Sequence, residues 1–187
     1  NDEQREALKF FLSYIYNILA NKDEESYKYI ISWFAGIFTR INSINRVALV
    51  LIGLQGTGKN TIYEFISKYM LPTSGSHITA GIQSITQKHN KHVQNKRLIL
   101  VNELCSTREE FKSNFNKIKT FITEPRVTIE PKGIDPYEID NINNYILCSN
   151  YMDSVIIEED DRRYAVFEVS EEKLNNIAYF TELRKKC

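Results

Sequence analysis

Nine consecutive residues, Gly53-Leu54-Gln55-Gly56-Thr57-Gly58-Lys59-Asn60-Thr61, have the composition of a loop that holds a triphosphate. They follow the phosphate-loop spacing GxxxxGK[ST] up to its last position, where Asn60 replaces Ser or Thr. Gly53, Gly56 and Gly58 let the backbone come close to phosphate oxygens. The amides of Gln55, Thr57 and their neighbours, with the positive end of a following helix, then face the negative charge. Lys59 is placed to reach the β- and γ-phosphates. Two further segments carry candidate chemistry. Val101-Asn102-Glu103 closes an apolar run with a neutral amide and a carboxylate, the carboxylate being a candidate base for an attacking water. Cys148-Ser149-Asn150 closes another run, and its Asn is either a water-orienting group or ordinary turn chemistry. Asp160-Asp161-Arg162-Arg163-Tyr164 offers an arginine pair that could bind nearby acids or reach a neighbour's phosphate.

Elements of matching type surround these residues. Residues 47–52 form a continuous apolar run, so a buried strand precedes the glycine loop, and 61–69 reads as the helix after it. Residues 98–101, 145–148 and 164–169 are three more apolar strands. Two amphipathic helices over 4–19 and 26–39 come first, joined by 21–25, and their aromatic faces are expected to pack on the main domain. Residues 72–76 read as a loop, 108–123 as a helix ended by Pro125, and 171–183 as a final helix. Residues 126–130 alternate like a strand, Pro131-Lys132-Gly133 turns, and 137–139 returns. Apolar strands alternating with helices make an α/β fold with a mostly parallel sheet. The expected division is a helical lead-in subdomain over 1–45 and a core over 46–187, with both ends reading as cut from a longer protein.

Composition narrows the field. The chain has 187 residues, 42% apolar and 26% charged, with no run of membrane-spanning length and no signal peptide. Cys105, Cys148 and Cys187 are odd in number and far apart, which argues for a reducing compartment and against a disulfide frame. An intracellular location follows. His89 and His92 could share a helix face but lack cysteine partners. Net charge is zero, which weakens any simple claim of nucleic-acid binding. Yet no acid lies between Glu64 and Glu103, where Lys68, Lys88, Lys91, Lys96 and Arg97 fall; that stretch is a solvated basic face or one that meets phosphates.

Taken together, these segments resemble the superfamily 3 helicases of the AAA+ group, nearest the primase-helicase branch of phages, virophages, mobile elements and large DNA viruses. Trp33-Phe34-Ala35 resembles the helical lead-in, 53–61 motif A and 98–103 motif B. Residues 118–133 resemble the B′ region with Lys132-Gly133 at its basic turn. Residues 145–150 resemble motif C, and Asp161-Arg162-Arg163-Tyr164 the arginine-finger segment. The likeness implies a P-loop core with a five-stranded central sheet flanked by helices. It implies ATP and Mg²⁺ as cofactors, Glu103 as base, Asn150 positioning water, and Arg163 with Arg162 acting across a subunit interface. It further implies a homo-oligomer, usually a hexamer, tracking single-stranded DNA 3′→5′, with Lys132 on the DNA backbone and a fused or associated primase. For a viral protein the compartment is host cytoplasm or nucleus.

Two positions depart from the family pattern. Asn60 replaces a hydroxyl that ligates magnesium and Asn102 replaces an acid, so the metal position falls to Asn60, Thr61 and Asn102. The departures favour an alternative, a weakly hydrolysing AAA+-like ATP-binding scaffold or loader. Glu103, Asn150 and Arg163 oppose it. A small P-loop kinase fits badly, since no lid arginines or acceptor site are evident.

Overall fold

A computed structural model of the chain describes residues 2–104, 108–150 and 161–186, with the backbone alone over 108–115. Cys105, Cys187 and Asp160 therefore lie outside the described residues or side chains. Five strands form one parallel sheet in the order β2-β3-β6-β1-β7. They are β1 (Ala48–Ile52), β2 (Ser76–Gly81), β3 (Leu98–Glu103), β6 (Asn144–Ser149) and β7 (Tyr164–Glu168). Strands β4 (Arg126–Ile129) and β5 (Tyr137–Asp140) pair antiparallel as a separate hairpin. The expected five-stranded parallel α/β sheet is borne out.

Burial on both faces explains why β1, β3 and β6 read as unbroken apolar runs rather than alternating ones. On one face Leu49, Leu51, Leu98, Leu100 and Ile146 pack under helices α1 (Asp2–Tyr14), α2 (Glu24–Thr39), α3 (Thr61–Tyr69) and α6 (Ile177–Lys186). On the other, Val50, Ile99, Val101, Tyr145 and Leu147 meet α5 (Arg108–Thr123), the short helix α4 (Gln83–Thr86) and the hairpin. The aromatic-rich leading helices thus pack on the sheet as expected. Trp33 anchors α2, donating its indole N–H to the Val47 carbonyl at 2.7 Å. Helix α2 starts at Glu24 because the Asp23 side chain accepts from the Ser26 amide at 2.7 Å. A π-helical turn, Ile15–Leu19, ends the first helical segment.

Three expectations need correction. The loop read over 72–76 ends one residue early: Ser76 opens β2, an edge strand. Its pattern is polar and half exposed, with Ile78 at 46% exposure, so it lacks the apolar run that marks the central strands. The final helix begins at Ile177, not near Glu171. Residues 170–176 instead bond to distant backbone, the Ser170 amide to the Ile18 carbonyl and the Asn175 amide to the Gly56 carbonyl. The Asn176 side chain then accepts from the Tyr179 amide at 2.9 Å and opens α6. Arg97 belongs to no basic face. It is buried, and its guanidinium donates to the carbonyls of Ile37, Arg40, Ser43 and Ile142, gathering acceptors at the end of α2.

Candidate functional site

In a parallel α/β sheet, ligands bind beyond the carboxyl ends of the strands. Here three adjacent strands, β3, β6 and β1, present their carboxyl ends side by side. The glycine loop follows β1, Asn150 follows β6, and Asn102 and Glu103 end β3. Gln55, Gly56, Gly58, Lys59, Asn60, Thr61, Asn102, Glu103 and Asn150 all line one open cavity of about 1240 Å³. The sequence separates these residues by nearly a hundred positions; sheet order brings them together.

The loop is held rigidly from outside. Gly56 and Gly58 both have φ +89°, a region that side chains rarely adopt. A Cβ at Gly58 would strike the Phe180 ring, and one at Gly56 the Asn175 side chain. The fully buried Tyr14 donates its hydroxyl to the Gly58 carbonyl at 2.8 Å. Burial pushes the Tyr14 phenol well above its ordinary range, so it stays protonated and remains a donor. Tyr14, Asn175 and Phe180 were not legible as site residues. Only their places on apolar helical faces or in polar turns could be read, and neither points at a loop far off in sequence.

Lys59 is largely buried, and its ammonium is held by three neutral oxygens. These are the Gly53 carbonyl, the Leu54 carbonyl at 2.8 Å and the Asn150 side-chain oxygen at 3.0 Å. Burial lowers its pKa, because desolvation penalises the charged form. The Lys59–Asn150 bond ties motif A to the end of β6 directly. Asn60 and Asn102, read separately as departures from a pattern, are hydrogen-bonded to each other through their side-chain amides. The Asn60 oxygen also accepts from the buried Cys148 thiol at 3.6 Å. Burial pushes that thiol up to about 12, so it is a weak donor rather than a nucleophile.

This arrangement bears on magnesium. Both amide oxygens of the Asn60–Asn102 pair already accept within the protein, and the carboxylates lining the cavity, Glu64 and Glu103, are exposed. Among the described residues there is no group of three His, Cys, Asp or Glu side chains that could hold a metal. The donor set does not fit a resident metal centre. A divalent ion here would arrive with a nucleotide's phosphates, as part of the substrate.

Other candidates lie elsewhere. The peptide N–H of Ala48 donates to the Arg163 carbonyl, so Arg162 and Arg163 sit at the amino end of the sheet. From Ala48 to Gly53 is five residues, about 17 Å along a strand. Arg46, Val47, Thr123, Arg162 and Arg163 line a cavity of about 630 Å³ at that end. Arg163 pairs within its own chain with Asp161 at 3.2 Å, and Lys119 approaches the same carboxylate at 3.1 Å. Burial pushes Asp161 up, but the Arg163 amide and the Lys119 and Arg163 side chains outweigh it and hold the carboxyl below its ordinary range. Lys132 is exposed at the tip of the β4–β5 hairpin, beside Gly133 at φ +73°. His92 lies against His77 with the rings tilted and their centroids 4.7 Å apart.

Comparison with known proteins agrees with this fold. Residues 51–163 match a family of unknown function, DUF5906. The chain is 31% identical over 156 residues to the DNA primase-polymerase of Nitratiruptor phage NrS-1, covering 81% of this chain and 21% of the phage protein. The apo structure of the NrS-1 C-terminal region superposes with a TM-score of 0.80 at 26% identity, covering 93% of this chain and 42% of that one. Its A form gives 0.74 at 25% identity, covering 94% and 42%. The chain spans about a fifth of the phage protein's length and less than half of the solved region. No helix among the described residues is long and apolar enough to cross a membrane.

Proposed function

This chain belongs to the DUF5906 family, and we propose that it is the ATP-hydrolysing core of a superfamily 3-like DNA helicase within a phage-type replication protein. The observation that carries the reading is the meeting of Lys59, Asn150 and Glu103 on three adjacent strand ends around one cavity. On this reading the loop amides and Lys59 take the β- and γ-phosphates. Lys59 exchanges neutral oxygens for phosphate oxygens, which restores the charge partner its burial disfavours. Asn150 and Glu103 then hold a water in line with the γ-phosphorus. The water oxygen bonds to phosphorus, the bond to the bridging β-oxygen breaks, and Glu103 takes the proton, leaving ADP and phosphate. Mg²⁺ carried by the nucleotide would neutralise phosphate charge, with no resident site needed in the protein.

The arginines support a ring. About 17 Å of sheet separates them from their own loop, further than a side chain extends, so an Arg163 finger serves a neighbouring copy. Such a ring, hexameric by resemblance, would carry single-stranded DNA through its channel. Lys132 at the hairpin tip would touch the backbone of that DNA, and a primase domain would be fused or bound. The Asn60–Asn102 pair favours a second reading, an ATP-binding scaffold that turns over slowly. ATP turnover with and without single-stranded DNA separates the two. DNA-stimulated turnover that Lys59→Ala abolishes is expected; tight ATP binding with no turnover under either condition would establish the scaffold.

A further inference from the structure

The peptide groups of the phosphate loop are sorted by direction. The carbonyls of Gly53, Leu54, Gly56 and Gly58 all accept hydrogen bonds within the protein. The backbone amides of Gln55, Gly56, Gly58, Lys59 and Asn60 have no acceptor among the described residues, and all five residues line the cavity. No described peptide bond is cis. In a trans peptide the C=O of one residue and the N–H of the next point in opposite directions, so a carbonyl held outward turns the following amide the other way. Holding the Leu54 carbonyl does this for Gln55, and holding the Gly58 carbonyl does it for Lys59.

Two different devices hold these carbonyls. Gly53 and Leu54 are held from within the loop, by the Lys59 ammonium and the Thr57 hydroxyl. On the proposed reading Lys59 gives up these oxygens for phosphate, so its hold ends as the ligand arrives. Gly56 and Gly58 are held from outside. The Asn175 amide donates to the Gly56 carbonyl at 3.1 Å, and the Tyr14 hydroxyl to the Gly58 carbonyl at 2.8 Å. These are the two glycines at φ +89°, where an unfixed chain has most freedom. Asn175 is itself left-handed, at φ +55°, a conformation Asn tolerates. Tyr14 ends α1 and leads directly into the π-helical turn, whose Ile18 carbonyl takes the Ser170 amide. The leading helix and the segment before α6 thus meet each other and the loop. Tyr14 and Asn175 both lie outside the residues matched to the family.

We propose that Tyr14 is a positioning residue of the phosphate site: its hydroxyl fixes the Gly58–Lys59 peptide so that the Lys59 amide faces the cavity before a ligand arrives. This rests on the reading of the glycine loop as a triphosphate site. A loop with three glycines has many conformations, and a ligand that must first select one of them binds more weakly by the fraction that is competent. Tyr14 is fully buried and is not among the residues lining the cavity, so it acts through the loop rather than on the phosphates. Its effect therefore falls equally on every ligand that uses the loop amides, with or without a base.

The test is titration calorimetry of ATP and of inorganic tripolyphosphate against the parent chain, Tyr14→Phe and Ile30→Val, each well below its melting temperature. Tyr14→Phe keeps the ring in the core and leaves the Gly58 carbonyl its bond from the Thr61 amide at 3.0 Å, so the fold survives. Ile30→Val thins the core beneath α2 without removing a hydrogen bond, and so controls for lost stability. Tyr14→Phe is expected to weaken ATP and tripolyphosphate by the same factor, about three- to tenfold, the worth of one hydrogen bond. Ile30→Val is expected to match the parent for both. Should Tyr14→Phe not fold, Phe180→Leu, which withdraws the ring from Gly58, carries the same expectation. The proposal is overturned if Tyr14→Phe binds both ligands as the parent does, if it weakens ATP alone, or if Ile30→Val weakens them as much. If the parent binds neither ligand, the phosphate-loop reading has failed and the positioning role falls with it.

Discussion

The two ends of the central sheet are built on opposite plans. At the carboxyl end, backbone amides, a largely buried lysine, three asparagines, Glu64, Glu103 and Arg184 converge on one cavity. Several are held by something else: Lys59 by Asn150, Asn60 by Asn102, Gly58 by Tyr14 and Phe180. At the amino end the cavity is lined by three arginines and has one anchor, Asp161. One end has the phosphate loop, and its lining arginine, Arg184, is ion-paired with Glu64 at 2.9 Å; the other has three arginines and no phosphate loop. A strand's length keeps the two apart within one copy, and stacking copies head to tail would bring them together. A heterologous contact of that kind generates a ring when its rotation closes.

The largest expected effect breaks the division itself. Arg163→Ala should bind ATP like the parent, while turnover in the assembled longer protein falls about 10³- to 10⁵-fold. Mixing it with Lys59→Ala protein should restore part of that turnover, because an intact loop then sits beside an intact finger. Assembly is checked by light scattering. No recovery at any ratio in assembled mixtures would leave Arg163 as the intrachain partner of Asp161 and nothing more. A smaller effect sharpens the carboxyl end. Asn102→Asp puts a carboxylate against Asn60, so the ratio of ATP affinities with and without Mg²⁺ should rise roughly two- to tenfold. Calorimetry in Mg²⁺ and in chelator reads that ratio directly. An unchanged ratio would mean that position 102 does not sense the ion.

The same contrast separates what the sequence discloses from what it hides. Central strands announce themselves because both faces are buried, so 98–101 and 145–148 are apolar throughout. Edge strand β2 is polar enough to pass for loop: the resemblance implies five strands, but nothing in residues 76–81 marks them as the fifth. The phosphate loop is legible because its chemistry is local: nine consecutive residues make the bend and present the lysine. The pairing of Asn60 with Asn102 is not, because hydrogen bonding between residues 42 apart follows from strand order. Nor are the bonds from Tyr14 and Asn175, which arise where the chain's two terminal segments close over the loop. The sequence also overstates exposure. Arg97 looks like one more cation in a basic stretch, yet its guanidinium is buried against four carbonyls.

On the proposed reading the carboxyl-end cavity binds ATP and hydrolyses it with Glu103 as base. Glu103→Gln tests this most directly, because Gln keeps the side chain's shape and removes only its capacity to take a proton. ATP affinity by calorimetry and phosphate release are measured on the same preparation. The expected result is affinity within about twofold of the parent with turnover lowered about 10²- to 10⁴-fold, the range for loss of a general base. Turnover equal to the parent's would contradict the claim.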